Sequence, residues 1–149
     1  MKSYRGLEVW QKSYALAVAA YRHTEAFPRR EVFGLTSPIR RAAVSVPTNI
    51  AEGYCRPGRA DYLRFLGIAQ GSAGELNTLL SLARDIGHLD ACCSQELESL
   101  LSDVGQMLTR LTQSLRLPGR ASAPGPMDGA APIPETRNPK PEEEGQNIP

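Results

Sequence analysis

The sequence has few aromatic residues, only three cysteines and no long apolar run. Aromatics make up 6% of its 149 residues. The cysteines are odd in number and two of them, Cys92 and Cys93, are adjacent, so they do not form the disulfide framework of a small secreted domain. The apolar runs are far shorter than the ~20 residues that span a bilayer, and the first ten residues lack the apolar core of a signal peptide. These absences argue against a membrane or secreted protein and predict a cytoplasmic one.

Net charge is also small, at +1, but the average conceals an uneven distribution. Residues 1–70 carry eleven Lys and Arg against five acids, residues 71–117 three against six, and residues 118–149 three against five. The first half of the chain is therefore basic and the rest is acidic. This asymmetry keeps nucleic acid or an acidic partner open as a ligand.

Proline marks the predicted domain boundary. Eight of the 12 prolines lie in residues 118–149, and apolar periodicity stops at Leu117. A segment this poor in apolar side chains cannot bury enough surface to offset the entropy of ordering it. We predict a folded domain over residues 1–117 and a disordered Pro/Gly-rich tail over residues 118–149.

Apolar residues recur at helical spacing in four segments, and no strand-like alternation occurs in residues 7–117. The first two stripes consist of Leu7, Trp10, Tyr14, Ala17 and Tyr21, and of Ile39, Ala43, Val46 and Ile50. The last two consist of Tyr62, Leu66, Ala69, Ala73, Leu76, Leu80 and Ala83, and of Leu97, Leu100, Leu101, Val104, Leu108, Leu111 and Leu115. Four amphipathic helices with short connections predict an all-α, up-down-up-down four-helix bundle.

Several residues punctuate these helices. Ser37 and Pro38 are typical of a helix start that follows a loop over residues 29–36, and helix four should begin near Ser94. Pro47 should kink helix two or end it early. Gly87 is a plausible stop for helix three. Three glycines inside helix three predict that the backbone of a neighbouring element approaches closely there: Gly67, Gly71 and Gly74. The aromatic residues fall at the spacing of core positions: Trp10, Tyr14, Tyr21, Tyr62 and Phe65.

Two strings in the first half of the chain, FGLTS at residues 33–37 and IRRAAVSVPTNIAEG at residues 39–53, carry a specific pattern. Together with LEVWQK at residues 7–12 and YLRFLGIAQGS at residues 62–72, they resemble the four helix bundle protein family. That family includes proteins encoded in intervening sequences of bacterial 23S rRNA genes, and the accessory variability determinant of diversity-generating retroelements. The resemblance covers about residues 4–116.

The resemblance implies a bundle that assembles as a ring, a homopentamer in characterised members. Retroelement members bind nucleic acid and a reverse transcriptase through a basic surface. The resemblance therefore implies a non-enzymatic binding or scaffolding protein of the 23S rRNA intervening-sequence type, with RNA, DNA or a reverse transcriptase as partner. The alternative is a homo-oligomeric protein-interaction module with no nucleic-acid role. This chain departs from the family in its Pro/Gly-rich tail and in its milder charge.

Seven arginines around the ends of helix two are the candidate phosphate contacts. Affinity for nucleic acid grows with the number of phosphates neutralised, so these side chains would have to converge. The alternative is a solvated or salt-bridged surface. No aromatic side chains alternate with them in the sequence, so any binding should be weakly sequence-specific. The set is Arg29, Arg30, Arg40, Arg41, Arg56, Arg59 and Arg64.

A polar stripe follows one face of helix two, at Arg41, Ser45, Asn49 and Glu52. This spacing favours a hydrogen-bonded network, either inside the bundle or at a contact between subunits, over a catalytic group. We therefore expect a subunit contact or a buried polar network here.

Nothing else in the chain has the spacing of a catalytic, cofactor or metal site. His23 and His88 are isolated, and there is no HExxH, CxxC, phosphate-binding glycine loop or GxSxG string. We therefore expect no enzyme activity, no cofactor, no metal, no small-molecule substrate and no membrane partner.

Overall fold

Four α-helices account for most of the chain in a computed structural model that describes residues 2–117. They are α1 (Glu8–Thr24), α2 (Ser37–Cys55), α3 (Arg59–Ile86) and α4 (Ala91–Arg116), and no strand occurs in the described residues. The predicted all-α four-helix bundle is confirmed. The tail predicted over residues 118–149 lies outside the described residues.

Contacts between the helices establish an antiparallel, up-down-up-down arrangement. His23 Nε2 lies 2.7 Å from Glu96 Oε2 and Lys12 Nζ lies 3.3 Å from Asp103 Oδ2, so α1 and α4 run in opposite directions. The Ser45 and Ser72 hydroxyl oxygens lie 2.7 Å apart and Gly53 packs against Phe65, so α2 and α3 also run in opposite directions. Each helix packs against the one before and the one after it, and α1 closes the bundle against α4.

Three of the four predicted apolar stripes form the core. The α2 stripe is fully buried, and α3 and α4 contribute fully buried leucines at Leu66, Leu76, Leu97 and Leu108. Side chains of this kind supply most of the hydrophobic stabilisation of a small bundle.

The stripe predicted for α1 is wrong at Tyr14 and Tyr21, whereas Ala17 is buried and Leu7 and Trp10 pack half-buried against the core. Tyr14 is 54% exposed and Tyr21 is 45% exposed, whereas the buried side of α1 is built mainly from small residues. Its buried residues are Val9, Ser13, Leu16, Ala17, Ala19, Ala20 and Thr24. Small side chains let the helices approach closely, and the Tyr14 and Tyr21 rings lie toward the outside.

The α1–α2 connection is more ordered than the loop predicted for it. It contains a 3-10 turn (Arg29–Glu31) and a π-helical turn (Val32–Thr36) that continues into α2 without a side-chain cap. The Glu31 carboxylate organises it, because Oε2 accepts a 3.0 Å hydrogen bond from the Leu35 N–H and Oε1 lies 3.3 Å from His88 Nε2. Ser37 is therefore the first residue of α2, and the capping role predicted for it is wrong.

Proline and glycine act differently from the sequence prediction within α2 and α3. Helix α2 continues past the buried Pro47 to Cys55, so the predicted early end is wrong. Gly67, Gly71 and Gly74 have open space where a Cβ would stand, so no close approach explains them. The close approach occurs instead at Gly53, where a Cβ would stand 2.7 Å from the Cβ of Phe65.

The turn between α3 and α4 has a glycine stop and an aspartate cap. Gly87 ends α3 at φ +94°, a left-handed conformation that favours glycine, and this confirms the predicted stop. Asp90 accepts a 2.7 Å hydrogen bond from the Cys93 N–H, which lowers the pKa of its carboxyl. Helix α4 consequently begins at Ala91, three residues before the predicted start.

Candidate functional site

The seven candidate arginines form two groups at opposite ends of the bundle. Arg29, Arg30, Arg40 and Arg41 lie around the start of α2, whereas Arg56, Arg59 and Arg64 lie around its end and the start of α3. Helix α2 has 19 residues, which corresponds to about 28 Å between the two ends. The two groups do not converge on one phosphate-binding point.

One end of the bundle concentrates positive charge. We call it the basic end: the half, divided at the midpoint of each helix, that contains the start of α1, the α2–α3 turn and the end of α4. It carries eight Lys and Arg against three acids, while the other half carries six against eight. Its cations are Lys2, Arg5, Lys12, Arg56, Arg59, Arg64, Arg110 and Arg116.

Arginine side chains at the basic end are held at the surface. Arg56 pairs with Glu52 at 2.8 Å and Arg64 with Asp61 at 3.5 Å, and at least 41% of each of these side chains is accessible to solvent. Both guanidinium groups also lie over the Phe65 ring, at 5.0 Å and 4.5 Å from its centroid. Exposed ion pairs contribute little to stability, so these cations can exchange a carboxylate for a phosphate at small cost.

The polar stripe of α2 divides into two parts. Asn49 Nδ2 donates to the Ser45 carbonyl at 2.7 Å and to its hydroxyl at 3.0 Å, and that hydroxyl contacts Ser72 on α3. Arg41 is exposed and Glu52 pairs with Arg56, so neither belongs to this network. Ser72 is the member that the sequence did not reveal, because its position opposite Ser45 depends on the register of α2 against α3.

A row of aromatic side chains extends from the 3-10 turn Tyr4–Gly6 along one side of α1 and lies among cations, with Tyr4 and Trp10 half-buried against the core and Tyr14 and Tyr21 exposed. The Trp10 ring stacks on the Tyr14 ring, with 5.2 Å between the ring centroids, and its centroid lies 5.3 Å from that of the Tyr4 ring. The Arg5 guanidinium lies over both Tyr4 and Trp10, at 5.7 Å and 5.3 Å. The sequence analysis assigned Trp10, Tyr14 and Tyr21 to the core and so missed the row. Trp10 does pack partly against the core, whereas Tyr14 and Tyr21 do not.

A second cation lies over the far end of this row. The Arg40 guanidinium sits 4.6 Å from the centroid of the Tyr21 ring, and its Nε donates to the Thr24 hydroxyl at 2.9 Å. The small Ala19 and Ala20 side chains, which are buried on a different side of α1, are the sequence signal that could have changed the assignment.

The sequence profile of the 23S rRNA-intervening sequence proteins matches residues 5–110. The chain belongs to this family. A crystal structure of a protein of unknown function, from the S23 ribosomal protein family of Bacteroides thetaiotaomicron VPI-5482, has the same fold with a TM-score of 0.66. The two chains are 22% identical, and the match covers 70% of this chain and 95% of that one. No curated protein matches the sequence significantly.

The matched residues of this family member include all seven candidate arginines, the Ser45–Asn49–Ser72 network and the Trp10–Tyr14 stack. Arg116, at the end of α4, lies beyond the match. Six of the eight cations of the basic end therefore lie within the residues that the family profile matches, and Lys2 and Arg116 lie outside them.

Histidines of this family member hold the connections of the bundle together. His23 joins α1 to α4 through Glu96, and His88 contacts Glu31 and packs against the Phe27 ring at 5.6 Å. Over residues 2–117 no group of three His, Cys, Asp or Glu side chains is placed to bind a metal ion. In the same span, none of the helices has the length and apolar character needed to cross a bilayer.

Proposed function

We propose that this 23S rRNA-intervening sequence family member is a non-enzymatic cytoplasmic binding or scaffolding protein that contacts nucleic acid through its basic end. The observation that supports this most directly is the excess of eight cations over three acids in that half of the bundle. A phosphate backbone is attracted to such a surface without regard to base sequence. The family description, which concerns an intervening sequence of 23S rRNA, is consistent with an RNA partner.

Repetition of the basic end around a homo-oligomer would strengthen this contact. Several weak sites on one assembly raise the apparent affinity through effective concentration, without any new contact. A pentameric ring, which the family resemblance implies, would present five copies of the basic end to one RNA, DNA or reverse transcriptase–nucleic acid complex.

The hydrogen-bond partners of the polar stripe support a non-enzymatic role. The Ser45 hydroxyl bonds to Asn49 and to Ser72, and Glu52 is paired with Arg56. No histidine or carboxylate in these contacts activates either serine as a nucleophile, which acyl or phosphoryl transfer through serine requires. We assign this network to packing of α2 against α3.

The proposal is tested by nucleic-acid binding across a salt series. We expect the full chain to bind single-stranded RNA at low salt, with an affinity that falls linearly as the logarithm of salt concentration rises. The double variant Arg59→Gln and Arg64→Gln should reduce the slope by about 0.7 for each phosphate that is no longer neutralised. The measurement is fluorescence anisotropy with a labelled oligonucleotide.

Two exposed arginines at the opposite end provide the matched control. Arg29→Gln with Arg30→Gln removes the same charge from the half of the bundle that is not basic. An equal reduction in both double variants would exclude the basic end as the specific contact. If the electrophoretic mobility of RNA and DNA in a gel-shift assay does not change with micromolar protein at low salt, a nucleic-acid role is excluded altogether.

A second candidate function, a homo-oligomeric interaction module with no nucleic-acid role, is favoured by a different observation. The Phe33 side chain is 95% exposed and its neighbour Val32 is 46% exposed, on the connection before α2. Apolar side chains exposed to this extent are typical of protein contacts.

The charge distribution also favours contacts between copies. Residues 73–103 carry six acids against one arginine, while the rest of residues 2–117 carries thirteen Lys and Arg against five acids. Two copies can therefore complement each other in charge.

A further inference from the structure

We propose that the aromatic row of α1 is a stacking platform for the bases of single-stranded nucleic acid. The row consists of Tyr4, Trp10, Tyr14 and Tyr21. This inference rests on the proposed nucleic-acid function and adds the class of ligand: a strand whose bases are free, not a duplex. The row lies apart from the seven candidate arginines in the sequence, and Arg40 reaches it only through the fold, which is why the sequence did not reveal this pairing.

The rings are placed as a platform requires. Trp10, Tyr14 and Tyr21 stand four and seven residues apart, so they lie along one side of α1. The first and last are separated by about 16 Å along the helix axis. Tyr14 stacks on Trp10 with an interplanar angle of 29°, yet 54% of Tyr14 remains exposed. Tyr21 has Arg40 over its ring and is 45% exposed.

Intrachain contacts also hold the row in position before any ligand arrives. Arg5 lies over Tyr4 and Trp10 together, and the Arg5 carbonyl accepts a 2.8 Å hydrogen bond from Gln11 Nε2, which ties the 3-10 turn at Tyr4–Gly6 to α1. A ring fixed in this way loses little conformational freedom when a base stacks on it.

Charge complementarity identifies the occupant. Arg5 flanks one end of the row and belongs to the basic end, while Arg40 and Arg41 flank the other. The row thus runs from Arg5, which belongs to the basic end, to Arg40 at the start of α2. A single strand along α1 would place its bases on the rings and its phosphates near cations at both ends. Proteins that bind single strands without sequence preference combine these same two elements.

A duplex cannot use the row in this way, because its bases are already stacked and paired inside the helix. The platform therefore predicts a preference for single strands that depends on the rings and not on the arginines. Polyanions without bases should bind the cations alone.

The only tryptophan of the chain, Trp10, is a built-in reporter for the test. We expect an oligoadenylate of about 12 nucleotides, within the site sizes of single-strand binders, to quench Trp10 fluorescence. Inorganic polyphosphate should bind without that quenching. Replacing Tyr14 and Tyr21 by leucine should lower oligoadenylate affinity about tenfold or more, because base–aromatic stacking contributes that much per base.

The matched control is the pair Tyr14→Phe and Tyr21→Phe, which keeps both rings and should keep the affinity. Affinity for a duplex of equal length and for polyphosphate should be the same in all three proteins. Because both tyrosines are half-exposed, the leucine variant should fold, and its Tm and light scattering are recorded alongside.

Each other result overturns the platform in a distinguishable way. Equal affinity of the leucine variant for oligoadenylate, or an equal decrease for single strand, duplex and polyphosphate, refutes stacking and leaves the basic-end proposal standing. A lower oligomeric state of the leucine variant with unchanged oligoadenylate affinity assigns the row to a second copy of this chain. Absence of binding to all three probes refutes the proposed function as well.

Discussion

Tyr62 has a buried hydroxyl that finds no hydrogen-bond partner among the described residues. The side chain is 1% exposed and meets Tyr54 edge-on, with ring centroids 6.1 Å apart. Burial, together with the neighbouring Tyr54, raises the pKa of Tyr62 to about 12. The ring fills the space between α2 and α3 close to Gly53, while the hydroxyl itself is a cost, because a buried polar group without a partner has lost its water.

Stability in alkali should report this buried phenol. A raised pKa means that the unfolded chain loses its Tyr62 proton first, so stability is fully present below pH ~10 and is lost as the pH rises toward 12. A shift of that size corresponds to roughly 3 kcal/mol. Tyr62→Phe should remove this contribution to the pH dependence and, near pH 7, leave stability equal or higher. The measurement is urea unfolding at several pH values.

The exposed Tyr14 provides the control for that series. Tyr14→Phe removes a hydroxyl that water already solvates, so the alkaline decline should persist. A Tyr62→Phe protein that declines as steeply as the unsubstituted chain between pH 10 and 12 would contradict the assignment.

At the scale of the helices, two glycines predict opposite effects of the same substitution. Gly53→Ala forces a Cβ to within 2.7 Å of the Phe65 Cβ and 3.1 Å of the Tyr62 ring, so α2 and α3 must separate. We expect a loss of about 1–3 kcal/mol in the free energy of unfolding. Gly71→Ala meets open space on an exposed helical surface, so we expect a gain of about 0.5–1 kcal/mol. Denaturant unfolding of both variants checks the pair, and two changes of the same sign would refute this account.

The contrast between α1 and the other helices shows what periodicity can predict. In α2 and α4 the large side chains that are fully buried are Ile, Val and Leu, so apolar spacing finds them directly. In α1 the buried side is largely Ala, Ser and Thr, while larger rings such as Tyr14 and Tyr21 lie outside. A prediction from apolar periodicity favours large apolar side chains as core positions and so chose the tyrosine rings. It does not take into account that two closely packed helices need small side chains between them.

The candidate site was harder to predict for a geometric reason. The seven candidate arginines all lie near the signature string at residues 39–53 in the sequence. In the structure that string is part of α2, and the length of the helix separates the arginines at its start from those at its end. Proximity in sequence therefore grouped seven arginines that lie in two places. Ser72 shows the converse, since a residue 27 positions away from Ser45 lies within hydrogen-bond distance of it.

At the scale of the whole molecule, Phe33 offers the clearest test of assembly. Its side chain is almost fully exposed, so replacing it should cost the single chain nothing in packing. If the ring is buried between copies, Phe33→Ser should lower the oligomeric state and leave the Tm of the separated chain unchanged. Light scattering at tens of micromolar protein measures this.

A matched control replaces an exposed apolar side chain elsewhere on the molecule. Ile86→Ser, at a residue 58% exposed at the end of α3, removes similar apolar surface elsewhere on the molecule. Loss of assembly with Phe33→Ser alone would place the contact at the connection before α2. Equal assembly of both variants and the unsubstituted chain would exclude Phe33 from the contact.

An even number of alternating helices returns the chain to the end from which it started. Lys2 and Leu117 both lie at the basic end, whereas the α3–α4 turn around Gly87 and His88 lies at the other. An affinity tag or surface linker joined close to either residue would therefore crowd the proposed contact and lower measured affinities. Immobilisation through the α3–α4 turn would orient every molecule with the basic end toward the solution, and this is the geometry in which binding should be measured.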